Sequence, residues 1–197
     1  MRTHFLFSIF VQRLLWGLFP FLFLLLYWQV AWSATKQPTV TDILLSSSGK
    51  ELLLSATVQD CFTEDMLEGV HNAIPVTFRF YIDLRRVRNY WFNERIVKQV
   101  VNHTLSYDPI KQEYQVAFSE KDRPETTRSL EEAKKMMAEL HEIALISLSE
   151  LPRKEKYALH IKTTLAENTL PLSIHSIIPF FSLWNFETDW RTVEFKY

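Results

Sequence analysis

Residues 76–92 read VTFRFYIDLRRVRNYWF, and they contain the clearest strand pattern of the chain. Apolar and polar side chains alternate strictly from Val76 to Arg85, which is the period of a strand with one buried face. The alternation breaks at Arg86, where an apolar residue is due, and the aromatic residues 90–92 follow. Because a β-bulge shifts the alternation by one residue, we predict a long strand with a bulge at Arg85 and Arg86.

The predicted bulge determines which side chains share the outer face of this strand. It keeps Arg86 out of the core, where an unpaired guanidinium would be costly, and it returns Val87 and Trp91 to the buried face. Arginine and tyrosine, which are enriched in binding hot spots, then concentrate on one outer strip. We interpret this strip as the candidate partner-binding site: Arg79, Tyr81, Arg85, Arg86, Arg88 and Tyr90. Its partner would be anionic, either an acidic protein surface or, if the chain is anchored in the membrane, phospholipid headgroups. The alternative is that these arginines pair with acidic residues on neighbouring strands.

Further segments with strand periodicity lie on both sides of this stretch. Residues 51–60 alternate after the turn sequence SSSGK, which predicts a hairpin of residues 42–45 and 51–60. The sequences RIVKQVVNHTLSYD and QEYQVAF predict a second hairpin. Residues 157–165 and the sequence PLSIHSIIPFF predict two more strands. Loops of hairpin length favour an antiparallel, Ig-like β-sandwich.

Two segments have the signals of helices. Thr63 precedes two acidic residues, as at a helix N-terminus, and Pro75 ends that helix early. Ser129 and Glu132 have the spacing of a capping box. The apolar residues that follow recur at spacings of three and four: Leu130, Ala133, Met137, Leu140, Ala144, Leu148 and Leu151. They predict one long amphipathic helix of about six turns whose apolar stripe is core. The predicted class is β-rich α+β, with this helix inserted late.

The N-terminal segment is typical of an export signal. Arg2 and Arg13 precede a long apolar run, and Ala31 and Ser33 provide small residues for a cut after Ser33. Residues 14–32 also come close to the roughly 20 residues that span a bilayer, so a retained anchor is the alternative. Both interpretations deliver the following chain to the far side of the inner membrane. We therefore predict an export signal or membrane anchor over residues 1–34 and one domain over residues 35–197.

Composition argues against several function classes. The chain has a net charge of −1, and the N-terminal segment has basic but no acidic side chains, so the remainder is mildly acidic. Such a domain lacks the clustered basic surface that nucleic acid requires. Cys61 has no second cysteine to pair with and is interpreted as a small core residue. The three glycines are scattered, which leaves no glycine-rich phosphate loop.

The spacing of the histidines and carboxylates indicates neither a metal site nor catalysis. No zinc-binding or protease-type histidine spacing occurs. His103 and His160 are predicted to lie on the polar faces of their strands, where they could meet. Glu139 and Glu142 share a face of the predicted helix with lysines nearby, which is typical of a solvated surface. We expect no cofactor and no enzymatic activity.

The order of these pieces resembles a known bacterial family. The pieces are an aromatic-rich strand that runs into arginines and a YWF turn, the region from Ser129 to Leu151, a Y-x-L-x-I strand, an LPL sequence and a Trp-rich tail. Together they resemble the uncharacterised family called domain of unknown function 4390. The resemblance implies a bacterial protein that is exported or membrane-tethered. It implies no catalytic residues.

These observations favour an exported, non-catalytic envelope module. We expect it to bind a protein partner in the periplasm or at the outer face of the inner membrane, with membrane association through residues 14–32 if the segment is retained. The alternative function is a carrier of a lipid or other apolar ligand, held between the long helix and a sheet. A carrier needs an apolar cavity of roughly 300 Å³ or more. An enzyme of an unrecognised type would need polar side chains that converge in one cleft.

Overall fold

Antiparallel strands make up most of the chain that the computed structural model describes, which is residues 37–166 and 186–197. The strands are β1 (Thr39–Ser48), β2 (Glu51–Gln59), β3 (Val76–Val87), β4 (Glu94–Asp108), β5 (Glu113–Phe118), β6 (Glu125–Thr127), β7 (Glu139–Ser147), β8 (Lys156–Leu165) and β9 (Arg191–Lys196). The α-helices of the described residues are α1 (Glu64–His71) and α2 (Leu130–Ala138), and a short 3₁₀ helix spans Leu148–Glu150.

The described strands form two sheets. One is three-stranded, in the order β1-β2-β7, and the other is six-stranded, in the order β6-β5-β4-β3-β8-β9. Every neighbouring pair is antiparallel. The prediction of a mostly antiparallel, β-rich fold is therefore confirmed.

Local sequence signals account for the first hairpin and for the start of each helix. β1 and β2 pair up to Ser48 and Glu51, and Gly49 between them has a φ of +60°, which favours glycine. The Thr63 side chain accepts a hydrogen bond from the backbone N–H of Met66 at the start of α1. Ser129 does the same for Glu132 at the start of α2. These predictions are confirmed.

One hydrophobic core takes side chains from both sheets and both helices. Its centre is the inner face of β3, where Phe78, Phe80, Ile82 and Leu84 are at most 1% exposed. The helices contribute Met66, Val70, Ala133 and Met137, all fully buried. Cys61 belongs to the same core, as expected, and burial raises the pKa of its thiol to about 12.

The prediction of one long helix from residue 130 to residue 151 is wrong. α2 ends at Ala138, and β7 begins directly after it. In β7 the buried residues are Leu140, Ile143 and Leu145, while Ala144 is exposed. Glu142, at a φ of +50°, belongs to a bulge between Leu140 and Ile143. The bulge adds one residue to the strand period of two, so the buried residues Leu140 and Ile143 are three apart. A spacing of three is also typical of a helix.

The bulge that the sequence predicts in β3 lies in β4 instead. β3 pairs with β8 without interruption from Phe78 to Val87. Against β4, Leu84 pairs with Val97 but Arg85 pairs with Arg95, so Ile96 is the extra residue. Arg86 therefore stays on the face of the core residues. It is tolerated there because it lies at the end of the sheet and forms an ion pair with Glu94.

Some predictions fall outside the described residues. They are the export signal or anchor over residues 1–34 and the strand PLSIHSIIPFF. Within the described residues, no helix is both long enough and apolar enough to cross a membrane. The C-terminal tail, which had no predicted strand, contains β9, paired with β8 at the edge of the six-stranded sheet.

Candidate functional site

The outer face of the six-stranded sheet is polar and carries several cations. Residues that pair across antiparallel strands place their side chains on the same face, so the register defines rows across it. One row joins Val100, Tyr81 and Lys162, and the next joins Lys98, Asp83 and His160. We call the cationic part of this face the basic face: Arg79, Arg85, Arg95, Lys98 and Lys162.

Asp83 anchors the centre of the basic face. Its side chain is 9% exposed and forms ion pairs with Arg85 at 2.6 Å and with Arg95 at 3.1 Å. Burial opposes the ionisation of Asp83, but hydrogen bonds and charge from the two arginines outweigh it and hold the pKa of that carboxyl below its usual value. One carboxylate thus serves two guanidinium groups, which leaves positive charge in excess.

Two further cations of the basic face have no carboxylate partner among the described residues. The Arg79 Nε donates to Asn102 Oδ1 at 3.3 Å, a neutral acceptor. Lys98 is exposed and makes no ion pair with the described residues. Between them lies Tyr81, whose pKa is lowered first of all by the Arg79 side chain. The main cause is the hydrogen bond with Arg79, and the charges of Arg79 and Lys162 contribute less.

The structure divides the six predicted site residues into two groups. Arg79, Tyr81 and Arg85 lie on the outer face of β3 and belong together. The other three lie at or beyond the end of the strand: Arg86, Arg88 and Tyr90. Arg86 and Arg88 both form ion pairs with Glu94. Pairing with acidic neighbours therefore holds for Arg85, Arg86 and Arg88, whereas partner binding stays a prediction.

The loop between β3 and β4 presents three exposed aromatic side chains. We call Tyr90, Trp91 and Phe92 the aromatic tip, and they are 96%, 73% and 88% exposed. The base of the loop is closed, because the backbone N–H of Arg88 donates to Asn93 Oδ1 at 3.2 Å. The predicted return of Trp91 to the buried face is wrong, since β3 ends at Val87. The aromatic tip therefore projects from a clamped base.

Sequence reasoning missed the cations that other strands bring to the basic face. Arg95 and Lys98 come from β4, and Lys162 comes from β8. The alternation of Lys98, Val100 and Asn102 in β4 is a signal that could have found Lys98. No local signal could have found their register against β3, because pairing between strands depends on the whole sheet.

Histidines and carboxylates do not converge on a metal site in the described residues. His103 is wholly buried on the inner face, whereas His160 lies on the outer face, so the predicted placement of His103 on a polar face is wrong and the two rings lie on opposite faces of the sheet. The ring of His103 contacts Met137 O at 3.1 Å and Glu120 Oε1 at 2.9 Å. Both partners are acceptors, so each ring nitrogen is satisfied when it donates.

Glu120 is held ionised by this contact. Burial opposes its ionisation, but the hydrogen bond and charge of His103, with smaller contributions from its own backbone and Ser119, hold the pKa of Glu120 below its usual value. The His103 ring, in β4, thus links Glu120, just after β5, to Met137 in α2. We interpret this link as a structural polar contact of the core.

Comparison with known proteins gives a family and no further likeness. No curated protein and no solved structure matches the sequence. The family model described as "Domain of unknown function (DUF4390)" matches residues 35–194, which confirms the resemblance seen in the sequence. The chain therefore belongs to the DUF4390 family.

Proposed function

We propose that the chain is an exported, non-catalytic envelope module that binds a protein partner in the periplasm or at the outer face of the inner membrane. The observation that carries the proposal is the basic face on a mildly acidic domain. Arg79 and Lys98 have no carboxylate partner among the described residues, and Asp83 serves both Arg85 and Arg95. An acidic protein surface would supply the missing charge.

The type of side chain also supports a protein partner. Arginine and tyrosine contribute disproportionately to protein interfaces. Tyr81 stands between Arg79 and Asp83 on one strand, with Val100 beside it, 41% exposed. A ring and an aliphatic side chain bordered by cations form a surface with an apolar centre and a charged rim, as protein interfaces do.

The arrangement of the domain is a further part of the proposal. We propose that the two sheets pack face to face as an Ig-like sandwich. Support comes from the single core, which includes Leu54 of the three-stranded sheet and Phe80 of the six-stranded sheet. Such an arrangement leaves the outer face of the six-stranded sheet free for a partner.

The carrier alternative has less support. It depended on a long helix that covers a sheet cavity, and α2 has nine residues, with Ala133 and Met137 fully buried in the core. Two cavities that the described residues line, of about 510 and 450 Å³, open at the surface and are bordered by charged side chains. Neither lies between α2 and a sheet.

Export is tested separately from binding. A fusion of residues 1–40 to a reporter that is active only in the periplasm should be active. The mass of the mature chain distinguishes cleavage near Ser33 from a retained anchor. A reporter that stays inactive in the cytoplasm would contradict the proposed location without bearing on the basic face.

The partner is tested by photo-crosslinking in intact cells. A photoreactive phenylalanine derivative in place of Tyr81 should give a discrete crosslinked protein. The same derivative in place of Gln115, on the outer face of β5, is the matched control and should not. The substitutions Arg79→Glu and Lys98→Glu should abolish the crosslink, because they reverse the two cations that pair with no described carboxylate.

A second control separates the loss of a binding surface from a general change of charge. Arg123→Glu with Lys135→Glu makes the same charge change at exposed positions outside the basic face. This pair should leave the crosslink intact. A crosslink that survives Arg79→Glu with Lys98→Glu in a normally folded chain would contradict the proposal.

A further inference from the structure

We propose that the aromatic tip is a membrane-docking element that inserts into the headgroup region of a bilayer containing anionic phospholipid. This goes beyond the proposed function, because it concerns a different surface and a different class of partner. Three consecutive aromatic side chains are exposed at Tyr90, Trp91 and Phe92, each by 73% or more. Exposed aromatic patches of this kind on a soluble domain mark an interaction site.

The loop is built to hold these side chains outward. The Asn93 side chain accepts a hydrogen bond from the backbone N–H of Arg88 and closes the base. Glu94, the next residue, forms ion pairs with both Arg86 and Arg88. The aromatic tip therefore projects from a fixed hairpin end, and it can insert with little loss of conformational entropy in the loop backbone.

Lysines lie on one side of the base of the aromatic tip, where β8 begins and β9 ends. We call Lys154, Lys156 and Lys196 the lysine cluster. In the register of the sheet Lys156 lies opposite Val87 on one side and Lys196 on the other, so the cluster adjoins the end of β3. All three lysines are exposed, and none forms an ion pair with the described residues.

The aromatic tip and the lysine cluster border the same open cleft. It has a volume of about 510 Å³, and its lining includes Tyr90, Trp91 and all three lysines. Glu155 is the acidic side chain of this lining. Backbone hydrogen bonds between Lys154 and Tyr197 and between Tyr197 and Glu155 hold the lysine-bearing turn against β9.

The order of these groups from the end of the sheet matches the layers of a membrane surface. Tryptophan and tyrosine favour the interface between headgroups and acyl chains. Lysine favours the anionic headgroups just above it. Aromatic groups at the apex with cations behind them fit a bilayer better than a protein, because protein hot spots lie inside a rim that excludes water.

The test uses the full chain reconstituted into vesicles with brominated acyl chains, which quench nearby tryptophan. The Trp91 signal is the difference between the native chain and Trp91→Phe. In vesicles of phosphatidylcholine with phosphatidylglycerol, we expect most of the Trp91 emission to be lost. In phosphatidylcholine alone, the Trp91 emission should persist. Lys154→Gln, Lys156→Gln and Lys196→Gln together should restore it, because they weaken docking roughly a hundredfold.

The control changes three other exposed lysines to glutamine, at Lys50, Lys111 and Lys135, with the same change of net charge. This variant should keep the quenching. Trp91 emission that stays unquenched in anionic vesicles would overturn the proposal, and so would equal quenching in both lipids. Shielding of Trp91 by the protein crosslinked at Tyr81, without lipid, would overturn it in favour of protein docking. Since Tyr81 reports on the basic face, failure here leaves the proposed function standing.

Discussion

One hairpin carries two groups of aromatic residues with opposite fates. Phe78 and Phe80 are 0% exposed at the centre of the core, whereas Tyr90 and Phe92, a few residues further on, are 96% and 88% exposed. Phe78 and Phe80 belong to the part of β3 that pairs with both β4 and β8. Tyr90 and Phe92 lie beyond Val87, the last paired residue of β3. The core therefore depends on one end of the hairpin, while the other end is exposed.

The largest effect expected from this comparison is on stability. Phe80→Ala should lower the free energy of unfolding by about 3–5 kcal/mol, because it removes a buried ring from a packed core. Phe92→Ala, the same substitution in the aromatic tip, should change it by less than about 0.5 kcal/mol. Urea unfolding of both variants checks the pair. Comparable losses would mean that the tip is part of the core.

A second pair of substitutions compares a buried and an exposed residue of β7. Leu140→Asp should destabilise by about 3 kcal/mol or more, since Leu140 is 2% exposed and a buried charge there has no partner. Ala144→Asp should cost about 1 kcal/mol or less, because Ala144 is exposed in β7. In the long helix that the sequence suggests, both residues would be core. Equal, large losses of unfolding free energy in chemical denaturation would therefore support that long helix and contradict the strand β7.

The long helix predicted for residues 130–151 shows that the spacing of apolar residues alone does not distinguish a helix from a bulged strand. The capping box at Ser129 correctly predicts where α2 begins, since a cap is a local contact. Nothing equally local predicts the end at Ala138. The bulge at Glu142 depends on the partner strand, because its backbone N–H donates to Ser55 Oγ at 3.1 Å. The spacing of four from Leu140 to Ala144 and from Ala144 to Leu148 therefore predicts a helix, and only the pairing with β2 makes Ile143 buried and Ala144 exposed.

A smaller loss is expected at the anchor of the basic face. Asp83→Ala should lower the free energy of unfolding by about 1–3 kcal/mol, because Arg85 and Arg95 lose their shared carboxylate. Asp122→Ala, at an exposed loop position, is the matched control and should stay within about 0.5 kcal/mol. Thermal or urea unfolding measures both. If Asp83→Ala were neutral, Asp83 would not organise the two arginines.

The candidate site was predictable only where it follows one strand. The alternation of β3 places Arg79, Tyr81 and Arg85 on one face, and the structure agrees. The same reasoning erred beyond Leu84, because it moved the bulge from Ile96 in β4 to Arg86 in β3. A bulge in β4 leaves the alternation of β3 unshifted, so Arg86 stays on the face of the core residues. The ion pair between Glu94 and Arg86 reduces the free-energy cost of leaving Arg86 on that face.

The contact between His103 and Glu120 predicts a modest dependence on pH. The pKa of Glu120 is lowered in the fold, so its contribution is present above the unfolded value of about 4 and is lost as pH falls through the folded value. Glu120→Gln should cost about 1–2 kcal/mol at pH 7. That difference should shrink below about pH 4. Urea titrations at several pH values check it, and a difference independent of pH would count against the pair.

The last prediction concerns both ends of the β3–β4 hairpin and tests binding rather than stability. Hydrogen–deuterium exchange of the full chain in vesicles reports on both at once. Amides of residues 78–84 should exchange slowly in every lipid, because β4 and β8 pair with both sides of β3. Amides of residues 89–92, beyond the hydrogen bond of Arg88 that closes the loop, should exchange fast in phosphatidylcholine and slow down when phosphatidylglycerol is added. Slow exchange of the loop in both lipids, or no change on adding phosphatidylglycerol, would contradict the division between a core end and a binding end.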